Sequence, residues 1–135
     1  VGSIKFEDGW DVGRFVAHIN EHVFFWPGSA AGPIRAGRNH FERYRAESPV
    51  VIRMPLERLV HQNPASEVLA CRHNSGAPRC SRGERSPRGG TTYVPLGSFA
   101  GTASDVVEIV FRGAVDILPE AAYSDSPDGP WKPLL

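Results

Sequence analysis

Residues 105–111 constrain the fold of this chain most strongly, because a glutamate lies in the middle of an otherwise apolar run. Apart from Asp105 and Glu108, the run consists of β-branched, aliphatic and aromatic residues, a composition typical of a β-strand. Side chains alternate between the two faces of a strand, so Glu108 shares its face with Val106 and Val110. A carboxylate among such neighbours needs a hydrogen-bonding partner, a water-filled cleft or a bound proton.

Two interpretations of Glu108 follow from this pattern. In the first, residues 105–111 form an edge strand and the carboxylate points into solvent. In the second, the carboxylate lies at the floor of a ligand cleft. The position of the strand in its sheet decides between them.

The composition predicts one small domain with many turns. The chain has 135 residues, which is enough for one hydrophobic core. Hydrophobic residues make up 41% of it, and the 14 Gly and 12 Pro predict modest helix content. We therefore expect a single domain over residues 1–135 with a Pro- and Asp-rich tail over 119–135. The formal net charge of zero argues against a protein whose whole surface attracts nucleic acid or anionic lipid.

The chain shows no signal for a membrane or for secretion. No apolar run approaches the length of a bilayer span, and the N-terminus lacks a basic-then-apolar pattern. Cys71 and Cys80 could form one disulfide, but two cysteines are too few for a secreted disulfide scaffold. We expect a cytoplasmic protein with no membrane partner. Because the first residue is Val, the sequence also fits a trimmed chain that lacks an N-terminal portion.

Hydrophobic periodicity predicts the order of helices and strands. Helices are predicted over residues 10–21, 38–47 and 55–60. Strands are predicted over residues 22–26, 50–54, 66–70, 91–94, 105–111 and 114–118. The first helix has Asp11 as its N-cap and one apolar side, formed by Val12, Phe15, Val16 and Ile19. Because most strands follow one another in the second half, we expect an α+β fold with a largely antiparallel sheet and a few short helices.

The spacing of histidines and cysteines does not predict a metal site. His18 and His22 lie four residues apart on the first predicted helix, which is a metal-ligand spacing, but no third ligand is evident. Cys71, His73 and Cys80 lack a paired C-x-x-C and a fourth ligand. P-loop, G-x-G-x-x-G and G-x-S-x-G motifs are also absent from the sequence.

Residues 72–90 form a long predicted loop with five arginines, one acidic residue and no hydrophobic period. Arginine forks bind phosphates and carboxylates bidentately, and glycines let backbone amides approach an anion. The loop is therefore either a solvated surface segment or an anion site. The second possibility predicts a non-catalytic anion- or nucleic-acid-binding module that uses residues 72–88.

An aromatic strand end and a distant glutamate suggest a different ligand. Phe25 and Trp26 precede a Pro-Gly-Ser turn, and an aromatic wall with one carboxylate and nearby arginines suits a flat heteroaromatic ligand that carries phosphates. A dinucleotide fits this description. The alternative is that these aromatic residues are part of the core.

Six short motifs carry a resemblance to known families: Val23-Phe24-Phe25-Trp26, Pro49-Val50-Val51-Ile52, Asn74-Ser75-Gly76, Arg88-Gly89, Val106-Val107-Glu108-Ile109 and Val115-Asp116-Ile117. Together they resemble a bacterial family of uncharacterised domains with a V-F-F-W signature. More remotely, the chain is similar to ADP-ribosyltransferases of the DarT type. That resemblance spans residues 23–118 and implies a split antiparallel sheet with NAD, the substrate, bound in its cleft.

The resemblance also implies roles for particular residues. Glu108 matches the catalytic glutamate, which holds the nicotinamide ribose hydroxyl or activates the acceptor nucleophile. Phe25 or Trp26 would stack near nicotinamide. Arg35 or Arg38 would meet the pyrophosphate, while the loop that carries Arg79 would cover the site and select the acceptor. The implied NAD-binding residues are Phe25, Trp26, Ser29, Arg35, Arg38, Asn74, Ser75 and Arg88.

The chain departs from the DarT pattern before residue 22. Those transferases carry an earlier strand with a His, Arg or Asn that grips NAD, whereas here most of residues 1–21 are predicted to be helical. Three explanations stay open: the chain is truncated, His18 or Arg14 takes that role, or the protein does not bind NAD. The acceptor, whether nucleic acid, protein or a small molecule, is not predicted. An inactive member of the same fold is a further alternative.

Overall fold

The chain folds into short helices and short antiparallel strands, which confirms the predicted α+β class. The computed structural model describes residues 4–76, 80–81, 84–85 and 87–135, with the backbone alone at 80, 81, 84 and 85. The α-helices are α1 (Val12–Ile19), α2 (Arg35–Arg43) and α3 (Leu56–Gln62). In these described ranges, no helix has the length and apolar character that crossing a membrane requires. The strands are β1 (His22–Phe25), β2 (Gly28–Ser29), β3 (Gly32–Pro33), β4 (Val51–Arg53), β5 (Val68–Cys71), β6 (Cys80–Ser81), β7 (Glu84–Arg85), β8 (Val94–Pro95), β9 (Glu108–Arg112), β10 (Ala122–Ser124) and β11 (Lys132–Pro133).

The contacts divide the chain into two compact units. The first consists of Val1–Phe25 and Glu67–Ala114, and the second consists of Trp26–Ser66 and Val115–Leu135. The first unit contains a four-stranded sheet in the order β1-β9-β5-β8 and the hairpin β6–β7. The second contains a three-stranded sheet in the order β11-β10-β4 and the hairpin β2–β3. All of these strand pairs are antiparallel.

The four-stranded sheet of the first unit places β9 between β1 and β5. Phe25 of β1 lies opposite Ile109, and Cys71 of β5 lies opposite Glu108. The interpretation of residues 105–111 as an edge strand is therefore wrong, because β9 is hydrogen-bonded on both sides. The buried residues that form the core here are Leu69, Cys71, Tyr93 and Val110.

Helix α1 begins where the sequence predicts. The Asp11 side chain accepts a hydrogen bond of 2.8 Å from the backbone amide of Arg14, which confirms the predicted N-cap. The predicted apolar side of the helix is buried only in part. Phe15 is fully buried, whereas Val12 and Val16 are exposed.

Helices α2 and α3 belong to the second unit. Helix α2 begins three residues before the predicted start and ends at Arg43, after which Arg45–Glu47 form a 3₁₀ turn. Helix α3 follows Pro55, which lies at its N-cap with an extended backbone. Proline suits this position because the first amides of a helix have no carbonyl partner within it.

The predicted strand over residues 114–118 is wrong, since β9 ends at Arg112 and the chain continues irregularly to Leu118. The buried side chain of Asn63 provides the physical reason. Its Oδ1 accepts a hydrogen bond of 2.7 Å from the Asp116 amide, and its Nδ2 donates one of 3.0 Å to the Asp116 carbonyl. A side chain thus takes the place of a strand partner at Asp116.

Two other predictions hold only in part. The predicted strand over residues 91–94 is reduced to β8, because the Thr92 amide donates to the Gly89 carbonyl at 3.2 Å and closes a turn. The hydroxyl of Thr92 also accepts a hydrogen bond of 2.9 Å from the Gly89 amide. The predicted loop over residues 72–90 contains the short hairpin β6–β7.

Candidate functional site

The carboxyl group of Glu108 lies inside the first unit. Glu108 is the first residue of β9, and only 4% of it is exposed to solvent. Its neighbours on β9, from Ile109 to Phe111, are also buried. The sequence pattern predicts a carboxylate among apolar neighbours, and the sheet order places that carboxylate away from solvent. A charge at this position needs nearby donors.

Ser75 supplies these donors and connects Glu108 to two other buried side chains. The Ser75 amide donates a hydrogen bond of 3.3 Å to Glu108 Oε1. The Ser75 hydroxyl lies 2.8 Å from the hydroxyl of Tyr93, and Arg88 Nε donates a bond of 3.2 Å to the Ser75 carbonyl. Ser75, Tyr93 and Arg88 are all at most 5% exposed. These four residues, which we call the Glu108 network, form a continuous buried polar group.

The N-terminal segment holds the backbone of Arg88. The Arg88 amide donates to the Lys5 carbonyl at 2.8 Å, and the Glu7 amide donates to the Arg88 carbonyl at 3.0 Å. The approach is close at the next residue, because a Cβ atom added at Gly89 would overlap the side chain of Glu7. This contact explains why glycine follows arginine in the Arg88-Gly89 motif.

Burial has the largest effect on the protonation of Glu108 and raises its pKa above the usual value. The hydroxyl and amide of Ser75 and the charge of Arg88 act in the opposite direction. A carboxyl group whose pKa is shifted towards neutrality exchanges its proton more readily at physiological pH. Glu108 is therefore suited to take a proton from a nucleophile or to hold a hydroxyl group.

Two other ionisable side chains beside the network are kept uncharged at pH 7 by their surroundings. Burial raises the pKa of Cys71 to about 12, so its thiol stays protonated and is a poor nucleophile. Burial, followed by the charge of Arg88, lowers the pKa of His73 to about 4, so this imidazole is neutral at pH 7. Glu108 is thus the carboxyl group of this cluster, and burial shifts its pKa upwards.

Aromatic rings surround the side chain of Tyr93. Ring centroids lie 4.8 Å away at His22, 5.4 Å away at His18 and 6.0 Å away at Phe24. The His22 ring is fixed by a hydrogen bond of 2.7 Å from its Nδ1 to the His18 carbonyl. Burial and the neighbouring His22 lower the pKa of His18. Among the residues that the structure describes, no three His, Cys, Asp or Glu side chains group into a metal site.

A cavity of about 460 Å³ opens beside this aromatic cluster, on the first unit. It is lined by Asn20, Glu21, His22, Val23, Arg112 and Gly113. His22 therefore faces the cavity and also packs on Tyr93. Glu108 does not line this cavity, nor does it line the smaller one of about 70 Å³ near Tyr123 in the second unit.

The first unit contains five of the residues that the resemblance singles out. Ser75 is hydrogen-bonded to both Glu108 and Arg88, and Asn74 is half-buried directly before Ser75. Phe25 lies on β1, and its ring packs edge-on against Phe111 with centroids 5.5 Å apart. The structure thus brings the glutamate together with part of the predicted loop.

The remaining residues from that set lie in the second unit. The side chain of Trp26 packs against Gly37 of α2 and lies 5.6 Å from the ring of His40. Arg38 pairs with Asp128 at 2.9 Å and also donates to a backbone carbonyl of the β2–β3 turn. Ser29 accepts a bond of 3.2 Å from the Ala31 amide in the same turn, and Arg35 is exposed.

The arginines of the loop over residues 72–88 do not form one exposed cluster in the part of the chain that the structure describes. Arg88 is 1% exposed, and Arg72 stacks over the ring of Phe99 at 4.5 Å. Arg79 and Arg82 lie outside the described residues. The side chains of Arg85 and Cys80 also lie outside them, whereas Cys71 is a buried free thiol, so it takes no part in the possible disulfide.

Sequence reasoning missed Tyr93 as a member of the site. The available signal was a tyrosine in a predicted strand, since a buried tyrosine hydroxyl usually needs a hydrogen-bonding partner. Its partner, Ser75, lies 18 residues earlier along the chain. The pairing therefore depends on the turn over residues 89–92, which local patterns do not predict.

Comparison with known proteins gives a family but no activity. Residues 3–121 match the model of a family of unknown function, DUF7002, so the match covers most of the chain and includes the Glu108 network. No curated protein and no solved structure matches the chain.

Proposed function

The chain belongs to the DUF7002 family of unknown function, and from the buried Glu108 network together with the resemblance to DarT-type transferases we propose that it is an ADP-ribosyltransferase-like enzyme. In this proposal it binds NAD and transfers ADP-ribose to an acceptor, in the cytoplasm of a bacterial cell. The remote similarity to DarT-type transferases belongs to the same proposal. The single observation that carries it is the buried carboxyl group of Glu108, held by the Ser75 amide with Arg88 beside it.

Transfer of ADP-ribose breaks the bond between the ribose C1′ and the nicotinamide nitrogen. Nicotinamide leaves with the electron pair, and the ribose develops positive charge, which a preorganised carboxylate stabilises. An acceptor nucleophile then attacks C1′ and gives its proton to Glu108. The raised pKa of Glu108 supports this role, because the group accepts and releases a proton nearer to neutral pH.

The other proposed NAD contacts differ in how available they are. Arg35 is exposed and is therefore the better candidate for the pyrophosphate, since Arg38 already pairs with Asp128. Phe25 or Trp26 would provide the surface for nicotinamide. Because Glu108 is 4% exposed, contact with the ribose also requires one of its covering neighbours to move.

The test is release of nicotinamide from NAD by the wild type and by two variants. Glu108→Gln is expected to reduce release by about 10²–10³-fold, the usual effect of removing one preorganised electrostatic contact. Glu57→Gln, at an exposed position in the first turn of α3, is the matched control and is expected to retain full activity. Absence of nicotinamide release from the wild type, or equal release from Glu108→Gln, contradicts the proposal.

The alternative is an anion- or nucleic-acid-binding module that uses residues 72–88. Among the described arginines of this segment, Arg88 is buried and Arg72 is exposed, so only Arg72 is open to an anion there. Binding of this type weakens steeply as salt concentration rises and is indifferent to Glu108→Gln. A nucleic-acid complex with both properties, and no NAD turnover, favours the module over the enzyme.

A further inference from the structure

Tyr93 lies next to the proposed catalytic carboxylate but has no role in the NAD contacts proposed above. Its hydroxyl lies 2.8 Å from the hydroxyl of Ser75, whose amide in turn donates to Glu108. The ring packs against His18, His22 and Phe24, so the direction of the hydroxyl is fixed by its surroundings. Tyr93 thus reaches Glu108 through one intermediate residue.

The direction of the hydrogen bonds follows from what each group is able to donate. An ionised carboxylate accepts only, and the Ser75 hydroxyl acts on Glu108 as a hydrogen-bond partner that lowers its pKa. A hydroxyl has one proton, so a serine that donates to Glu108 is left to accept from Tyr93. Either hydroxyl can donate in the 2.8 Å bond between Tyr93 and Ser75; when Ser75 donates to the ionised carboxylate, Tyr93 is the donor to Ser75 and the two bonds polarise each other.

We propose that Tyr93 is a positioning residue, which acts through Ser75 to hold the Glu108 carboxylate in the orientation and ionised form that ADP-ribosyl transfer requires. Only the catalytic part of this proposal rests on the proposed function, because it assumes that the protein transfers ADP-ribose. The effect of Tyr93 on Glu108 is a property of the folded protein and is measured without NAD.

Other titratable groups lie close to these hydrogen bonds, and their effects on the pKa of Glu108 must be distinguished from the effect of Tyr93. Arg88 acts electrostatically on both Glu108 and Tyr93, and the charge of Glu108 acts on the thiol of Cys71. His18 and His22 pack against the tyrosine ring. Cys71 stays protonated across the neutral range, so it does not titrate there. A titration that follows the carboxyl carbon of Glu108 distinguishes the protonation of Glu108 from that of the two histidines.

The experiment is an NMR titration of the Glu108 side-chain carboxyl carbon, with the signal assigned by its loss in Glu108→Gln. Tyr93→Phe removes one oxygen and keeps the ring, and we expect the midpoint to move to higher pH by roughly half a pH unit. Ser75→Ala is expected to move it further in the same direction. Tyr44→Phe, which removes a hydroxyl from an exposed ring in the second unit, is expected to leave the midpoint unchanged.

Kinetics of nicotinamide release test the catalytic part of the proposal. Tyr93→Phe is expected to lower kcat about tenfold with little change in the KM for NAD, as for loss of an interaction that acts in the transition state. An unchanged Glu108 midpoint in Tyr93→Phe overturns the proposal, whatever the kinetics. A shifted midpoint in a protein without NAD turnover supports the positioning of Glu108 and removes the proposed enzymatic function instead.

Discussion

The carboxyl group of Glu108 lies on an inner strand, so its affinity for a proton depends on whether the chain is folded. In the folded chain, burial raises its pKa above the ordinary value of 4.5. A group with a raised folded pKa stabilises the fold fully below the unfolded pKa. That contribution is lost as the pH rises through the folded pKa. As the pH rises from the unfolded pKa of Glu108 to its higher folded pKa, the folded chain therefore becomes progressively less stable.

A substitution that removes the titrating carboxyl group of Glu108 tests whether Glu108 lowers the stability of the folded chain as the pH rises. We expect the free energy of unfolding of Glu108→Gln to rise relative to that of the wild type as the pH increases from the unfolded pKa of Glu108 to its folded pKa. The rise is about 1.4 kcal/mol for each tenfold difference in proton affinity between the folded and unfolded wild type. Urea denaturation at several pH values measures the difference. Glu57→Gln, on the surface of α3, is the control. A difference that stays constant with pH would contradict the assigned burial.

At the scale of elements, the packing of Trp26 on α2 depends on the absence of a side chain at Gly37. A Cβ atom added there would lie 2.8 Å from both Cβ and Cγ of the tryptophan. In a helix, Gly→Ala normally stabilises by about 1 kcal/mol. Overpacking costs about 1–3 kcal/mol, so we expect Gly37→Ala to lower the free energy of unfolding, as measured by urea denaturation.

Gly13 provides the matched control for Gly37 because it lies inside α1 with space around it. An added Cβ there would have the Asp11 carboxylate as its nearest neighbour, at an ordinary contact distance of 3.6 Å. Gly13→Ala is therefore expected to raise the free energy of unfolding by up to about 1 kcal/mol. Equal effects of the two substitutions would show that Trp26 does not pack closely on α2 in solution.

The elements that the sequence predicts correctly are those with local signals. Asp11 caps α1, Pro55 precedes α3, and the apolar run around Val110 forms a strand. The strand predicted over residues 114–118 fails because the competing partner, Asn63, lies 53 residues earlier in the chain. No local pattern shows that a distant side chain will take the hydrogen bonds of a backbone segment.

The burial of Glu108 has the same kind of cause. The sequence shows a carboxylate between two valines, but the choice between an edge and an inner strand depends on β1 and β5, which come from distant parts of the chain. Arg88 is similar, because its burial follows from pairing with residues near Lys5 and from its bond to Ser75. The sequence therefore predicts which residues belong to the site, whereas the residues that bury them and bind to them depend on the order of the strands in the sheet.

At the scale of the whole molecule, the Glu108 network lies entirely within the first compact unit. Glu108, Ser75 and Arg88 belong to the first unit, whereas Arg35 and Trp26 belong to the second. The formal net charge is zero, so long-range attraction to a dinucleotide is not expected from the chain as a whole. Affinity for NAD would have to come from contacts with individual side chains, and it would depend less on salt than binding to a long nucleic acid.

Binding of NAD to the folded chain is expected to raise its melting temperature. At a concentration 100 times the dissociation constant, a ligand adds about 2.7 kcal/mol to the free energy of unfolding. For a chain of 135 residues this corresponds to roughly 10 °C. We expect Glu108→Gln to keep most of this shift, because a carboxylate that acts mainly on the transition state contributes less to binding the ground state. A thermal-shift titration measures both proteins, and a wild type that shows no shift in millimolar NAD would remove the dinucleotide from the proposed function.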